Sequence, residues 1–196
     1  MRALILSTTT GYQLRSFGDA AARAGIELMF ATDRCHRLDD PWRDAAVAVR
    51  FHEEESSLRA IVDAARTRPV DGVIAVGDRP VVLAALAAQA LGIRGNPPHA
   101  AAASVNKNLA RAAFARAGLP VPWHLEVGEG QPVAGDPRLV FPCVVKPLGL
   151  SGSRGLWWVA TDPERLRRQS GEHHRPVADS DHPVNRPRAR RVDDRA

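Results

Sequence analysis

The sequence predicts an α/β chain, with a doubly wound parallel sheet over residues 1–96 and an α+β segment from about residue 97. Three observations carry this. Short apolar runs alternate with helix-periodic segments through the first half, Gly or Asp punctuates most of the junctions, and a Pro-rich connection at 96–98 precedes a stretch that reads mainly as strands. Strands that alternate with helices need a crossover each time, and crossovers put helices on both faces of a parallel sheet.

The first element is "ALILST", a continuous apolar run that stops at Thr8, Thr9, Thr10 and Gly11. Leu14, Phe17, Ala21, Ala22 and Ala24 then recur near helical spacing until Gly25, a residue that closes helices readily. "IELMFAT" is the second strand and ends at Asp33. After a polar stretch with Pro41 comes "VAVRF", followed by a helix from Glu54 with Leu58, Ile61, Val62 and Ala65 on one face. "GVIAVGD" is the fourth strand; Asp78 is placed to cap the next helix, with Pro80 in its first turn and Gly92 beyond its end.

Ligands of such sheets bind beyond the carboxyl ends of the strands. Thr9, Thr10, Gly11, Gly77 and Asp78 lie there, although turn chemistry and capping explain the same residue types. No G-x-G-x-x-G follows the first strand, which argues against a dinucleotide site.

From Asn96, Pro97 and Pro98 the pattern changes. A helix is expected from near Ser104 to Ala117, with Leu109, Ala113, Phe114 and Ala117 facing a core and Gly118 and Pro120 ending it. "WHLEV", "FPCVVKP" and "GLWWVA" read as strands, the last two as an antiparallel pair in which one of Trp157 and Trp158 packs on the core.

Composition excludes several functions. The 196 residues carry a net charge of +5, but the arginines are spread among Asp and Glu and aromatic content is 5%, so no nucleic-acid-binding stripe is expected. The densest run, "RPRARR" at 186–191, falls in a tail. The apolar stretch "VVLAALAAQALGI" is too short for a membrane span, and "MRALILSTTTG" lacks the features of a secretory signal, so the cytoplasm is the expected compartment. Cys35 and Cys143 have no metal-ligand spacing and are read as two reduced thiols.

The chemistry concentrates in "FPCVVKPLGLSGSRG" at 141–155. Of 27 Lys and Arg residues only Lys107 and Lys146 are lysine. A compact ammonium suits a phosphate oxygen in a way that arginine's broad fork does not freely replace. The loop after Lys146 is longer than a reversal needs. Its Gly149, Gly152 and Gly155 allow backbone N–H groups to converge on an anion, with Ser151, Ser153 and Arg154 as further donors.

"SVNKNLARAAFARAGLPVP" followed by "FPCVVKPLGLSGSRGL" resembles the ATP-grasp superfamily, in particular the branch with carbamoyl-phosphate synthetase, biotin carboxylase and amino-acid ligases. Lys107 matches that family's first lysine, residues 142–147 its P-x-[VI]-[VI]-K-P strand, and Ser153, Gly155 and Leu156 the end of its loop. The alternation at 1–96 is similar to the pre-ATP-grasp domain, and 97–168 to the opening part of the ATP-grasp domain.

The resemblance implies ATP as cofactor, with Lys107, Lys146, Ser151, Gly152, Ser153, Arg154 and Gly155 around its phosphates, and Mg2+ held by residues not recognisable in this chain. It implies activation of an unnamed carboxylate to an acyl phosphate and attack by an amine or similar nucleophile, with no catalytic or metal residue assigned. Alternatives are a non-enzymatic small-ligand module or a subunit docking on a complete ATP-grasp partner, and a homo-oligomer stays open.

After "TDPERLRR" the stretch 169–196 has no Leu, Ile, Met, Phe, Trp or Tyr. It is expected to be a disordered tail, read from a gene truncated and frameshifted near codon 168, in which His173 and His174 are incidental, and the chain by itself is expected to be catalytically inactive.

Overall fold

The computed structural model describes residues 1–8, 14–33, 46–128, 137–149, 157–159 and 164. In chain order the elements are β1 (Arg2–Ser7), α1 (Leu14–Ala24), β2 (Glu27–Thr32), β3 (Val47–Ala48), α2 (Glu54–Thr67), β4 (Gly72–Val76), α3 (Val81–Ala90), α4 (Pro98–Val105), α5 (Lys107–Arg116), β5 (Cys143–Val145) and β6 (Trp157–Val159). They fall into two compact units, 1–124 with 146–156, and 125–145 with 157–196.

The first unit holds a four-stranded sheet in the order β3-β2-β1-β4, every pair parallel. This is the doubly wound arrangement expected from the alternating pattern. β1 is central and Leu4, Ile5, Leu6 and Ser7 are all buried. Successive side chains on a strand point to opposite faces, so both faces of the sheet are covered, which is why β1 reads as an unbroken apolar run. Leu4 and Leu6 meet Met29, Ile61, Leu83, Ala84 and Ala87 in one core.

Three helices end alike. Gly25, Gly92 and Gly118 have φ of 63°, 66° and 73°, the left-handed region in which a Cβ is unfavourable. Beyond each, a backbone N–H reaches back to the helix: Ile26 to Ala21, Ile93 to Ala88 and Leu119 to Phe114, at 2.9, 2.8 and 3.0 Å.

Charge locks the opposite end of the sheet. The Arg2 backbone N–H donates to Asp71 Oδ2 at 2.7 Å, while its guanidinium donates to Pro69 O at 2.8 Å and to Glu27 Oε2 at 2.7 Å. That last bond, more than the accompanying charge attraction, holds the Glu27 carboxyl below the usual carboxylate range. A depressed folded-state value stabilises above the unfolded-state value, and the contribution disappears as pH falls through the depressed one. Glu27→Gln is therefore expected to cost a little stability at neutral pH and nothing in strong acid. Melting curves of both proteins from pH 7 downward should converge; a constant offset would contradict the assignment. The effect is small because the pair is solvated.

Four sequence expectations are corrected. The segment expected as one helix from Ser104 to Ala117 is two helices, because Asn106 takes an extended conformation (φ −120°, ψ 114°) and interrupts the ladder. Leu109 and Phe114 do not face a core: they are 48% and 50% exposed. "WHLEV" forms no strand. Asp78 caps α3 through its carbonyl, which accepts from Val81 N at 3.2 Å, and not through its side chain, since the N-cap residue is Pro80. In addition, "VAVRF" contributes only the two residues of β3.

In the second unit β5 and β6 pair antiparallel, Val144 opposite Trp158, as expected of the two runs. Cys143 is a free, partly buried thiol whose pKa burial pushes up. Cys35, the end of "GLWWVA" and the tail from 169 onward, with His173 and His174, lie outside the described residues. Among the described residues no helix is long and apolar enough to cross a membrane.

Candidate functional site

The site is built where α5 begins. Asn106 is its N-cap, and its Oδ1 accepts from the backbone N–H groups of Asn108 and Leu109 at 3.0 and 3.1 Å. Its carbonyl takes Ala110 N at 2.9 Å, and Lys107 N–H points to Leu148 O at 3.4 Å. Three of the N–H groups that a helix start normally leaves orphaned, those of Lys107, Asn108 and Leu109, are thus engaged.

Lys107 is the first residue of α5 and partly buried. Its Nζ donates to Pro147 O at 2.9 Å and to Leu148 O at 3.3 Å, across about forty residues of sequence. Lys146 directly precedes Pro147 and its side chain is exposed. The chain therefore brings its only two lysines to one place: the ammonium of Lys107 is bonded to the residue that follows Lys146. Ser151, Gly152, Ser153, Arg154 and Gly155 lie outside the described residues.

Gly149 does not use the freedom expected of it. Its φ lies outside the left-handed region and a Cβ added there would meet nothing. The sequence reading missed Asn106 and the carbonyls of Pro147 and Leu148. The first had a signal, since Asn immediately before a helix start is a preferred cap; the carbonyls had none, because any residue carries one. Asn106→Ala is expected to cost about 1 kcal/mol, from two donors left unpaired at a helix start. Urea unfolding checks this, and an unchanged midpoint would mean that the cap contributes nothing.

At the carboxyl ends of the parallel strands, Gly77 has φ 89° and an added Cβ there would meet open space. Ser7 is 1% exposed and its hydroxyl has no hydrogen-bond partner among the described residues. Thr9, Thr10 and Gly11 lie outside the described residues.

A parallel sheet followed by a lysine-led helix is a common frame, and the comparisons with known proteins narrow it. Residues 18–95 match the family described as the ATP-grasp N-terminal domain. Over this stretch the chain is similar to an ATP-grasp N-terminal domain. Solved structures share the fold beyond that stretch. L-amino acid ligase from Bacillus licheniformis aligns over 88% of this chain and 42% of its own, with 24% identity and a TM-score of 0.63. Phosphoribosylglycinamide synthetase from Anaerococcus prevotii aligns over 85% of this chain and 40% of its own, with 20% identity and a TM-score of 0.52.

At these identities the likeness is one of fold, and the chain spans about two-fifths of the length of either protein. None of the curated proteins matches the sequence. The match to the ATP-grasp N-terminal domain ends at residue 95, so Lys107 and Lys146 lie beyond the matched residues.

Proposed function

We propose that the chain binds the phosphates of ATP through Lys107 and Lys146, as part of an ATP-dependent ligase that activates a carboxylate to an acyl phosphate for attack by an amine or similar nucleophile. One observation carries the reading: two scarce lysines, about forty residues apart, meet at the segment that leaves β5. The ligase fold of the neighbours supports it. Phosphoryl transfer asks a protein mainly for position and positive charge, which is what two ammonium groups supply. From the sequence, Ser151, Gly152, Ser153, Arg154 and Gly155 belong to the same phosphate site.

Mg2+, which the resemblance implies, needs oxygen ligands such as carboxylates. Among the described residues no group of three or more His, Cys, Asp or Glu is placed to hold a metal, and the carbonyls of Pro147 and Leu148 already accept from the Lys107 ammonium. These residues do not fit the metal, and no step is assigned to it.

The family residues that this chain matches are those expected at phosphates. The expected result for the isolated chain is accordingly a rise in melting temperature with MgATP, without ADP release when carboxylates and amines are added. No shift at millimolar MgATP would overturn the reading, and carboxylate-dependent ADP release would show a complete enzyme in place of the inactive form proposed. A cytoplasmic location and domain limits of 1–96, 97–168 and 169–196 belong to the same proposal.

A second reading, a small-ligand module at the carboxyl ends of β1 and β4, has in its favour the buried Ser7 hydroxyl, which has no partner among the described residues. It predicts a melting shift with a small polar ligand that Ser7→Ala removes and Lys146→Ala does not.

A further inference from the structure

Lys107 and Lys146 stand in unlike surroundings. Lys146 is exposed, whereas Lys107 is partly buried and spends its ammonium on two successive carbonyls, Pro147 O at 2.9 Å and Leu148 O at 3.3 Å. Its backbone N–H lies 3.4 Å from the second of these. Lys107 thus grips the segment after Lys146 from both its backbone and its side chain.

Proline makes that grip count. Between the held carbonyl of Pro147 and the Cα of Lys146 the peptide is planar and the ring locks φ, so the only soft backbone dihedral is ψ of Pro147. The residue before a proline is itself confined to extended conformations. Holding one carbonyl therefore confines the backbone of Lys146, leaving its side-chain rotamers as the main freedom. An alanine or leucine at 147 would not transmit the restraint so directly.

We propose that Lys107 is a positioning residue: by holding Pro147 and Leu148 against the start of α5, it fixes where the Lys146 ammonium can stand. This deepens the phosphate reading above, and only the nucleotide arm of its test rests on that reading.

With only two lysines, selective 15N-lysine labelling gives two backbone amide signals. In full-length Lys107→Met the single remaining signal, Lys146, should shift, and its order parameter should fall from about 0.85 toward 0.6 or below. In Lys107→Arg it should stay near its original place, because a guanidinium can also donate to two carbonyls. A Lys146 signal unmoved by Lys107→Met overturns the proposal; Lys107→Leu, which also lacks a donor, takes that variant's place if it does not fold.

In the second arm, MgATP is titrated against Lys107→Met, Lys146→Met and the double variant. Action through Lys146, on top of the contact Lys107 itself makes with phosphate, predicts that each single change weakens binding about tenfold or more and that the double variant loses clearly less than the product of the two single losses. Independent phosphate ligands would give multiplicative losses, and that outcome also overturns the proposal. If the unaltered chain binds no nucleotide, the phosphate reading fails while the resonance of Lys146 still decides the positioning role.

Discussion

Replacing Leu4 with alanine is expected to lower the stability of the first unit by about 2–5 kcal/mol, the range for emptying a leucine site in a packed core. Leu4 is fully buried on the central strand, flanked by β2 and β4. Its neighbours in the core come from two strands and two helices, so no single element can move in to fill the space. A domain with about 5–15 kcal/mol in hand would lose a large part of it. Leu119→Ala is the matched control: the same atoms are removed from a residue that is 53% exposed, and a change within about 0.5 kcal/mol is expected. Urea midpoints of the two variants should differ widely, and equal midpoints would mean that the core has been misplaced.

The second large effect concerns nucleotide. Lys146→Ala is expected to weaken MgATP binding by about 1.5–3 kcal/mol, the range for a hydrogen bond to a charged group, or roughly 10- to 150-fold. The bare attraction between an ammonium and a phosphate oxygen at 4 Å is larger, about 4 kcal/mol at an effective dielectric of 20. Lys146 is exposed, however, and solvent and salt reduce the gain. Lys146→Arg should recover only part of the loss, since a planar fork addresses phosphate oxygens differently from a point charge. Calorimetric titration of the three proteins checks this, and unchanged affinity in Lys146→Ala would remove the lysine from the site.

The parallel sheet was readable because its central strand is buried on both faces. β1 therefore appears as an uninterrupted apolar run, and Gly25 and Gly92 mark helix ends by a backbone requirement that few other residues meet. The break at Asn106 was not readable from periodicity, because apolar residues continue at helical spacing across it; only the capping habit of asparagine marks the spot. Leu109 and Phe114 were assigned to a core on pattern alone, and pattern says which face is apolar but not what covers it. At the site, the two lysines stood out through their scarcity. Their meeting did not, since the link runs through main-chain oxygens, which sequence does not distinguish.

The pairing of β1 with β4 also bears on how the protein is made. Ala3 lies beside Gly72, 69 residues later. A ribosome extends the chain at about 5–20 residues per second, so one edge of β1 waits several seconds for its neighbour. During that interval the most apolar strand of the sheet is available to any other unpaired strand, and nascent copies on one messenger are at risk of cross-pairing.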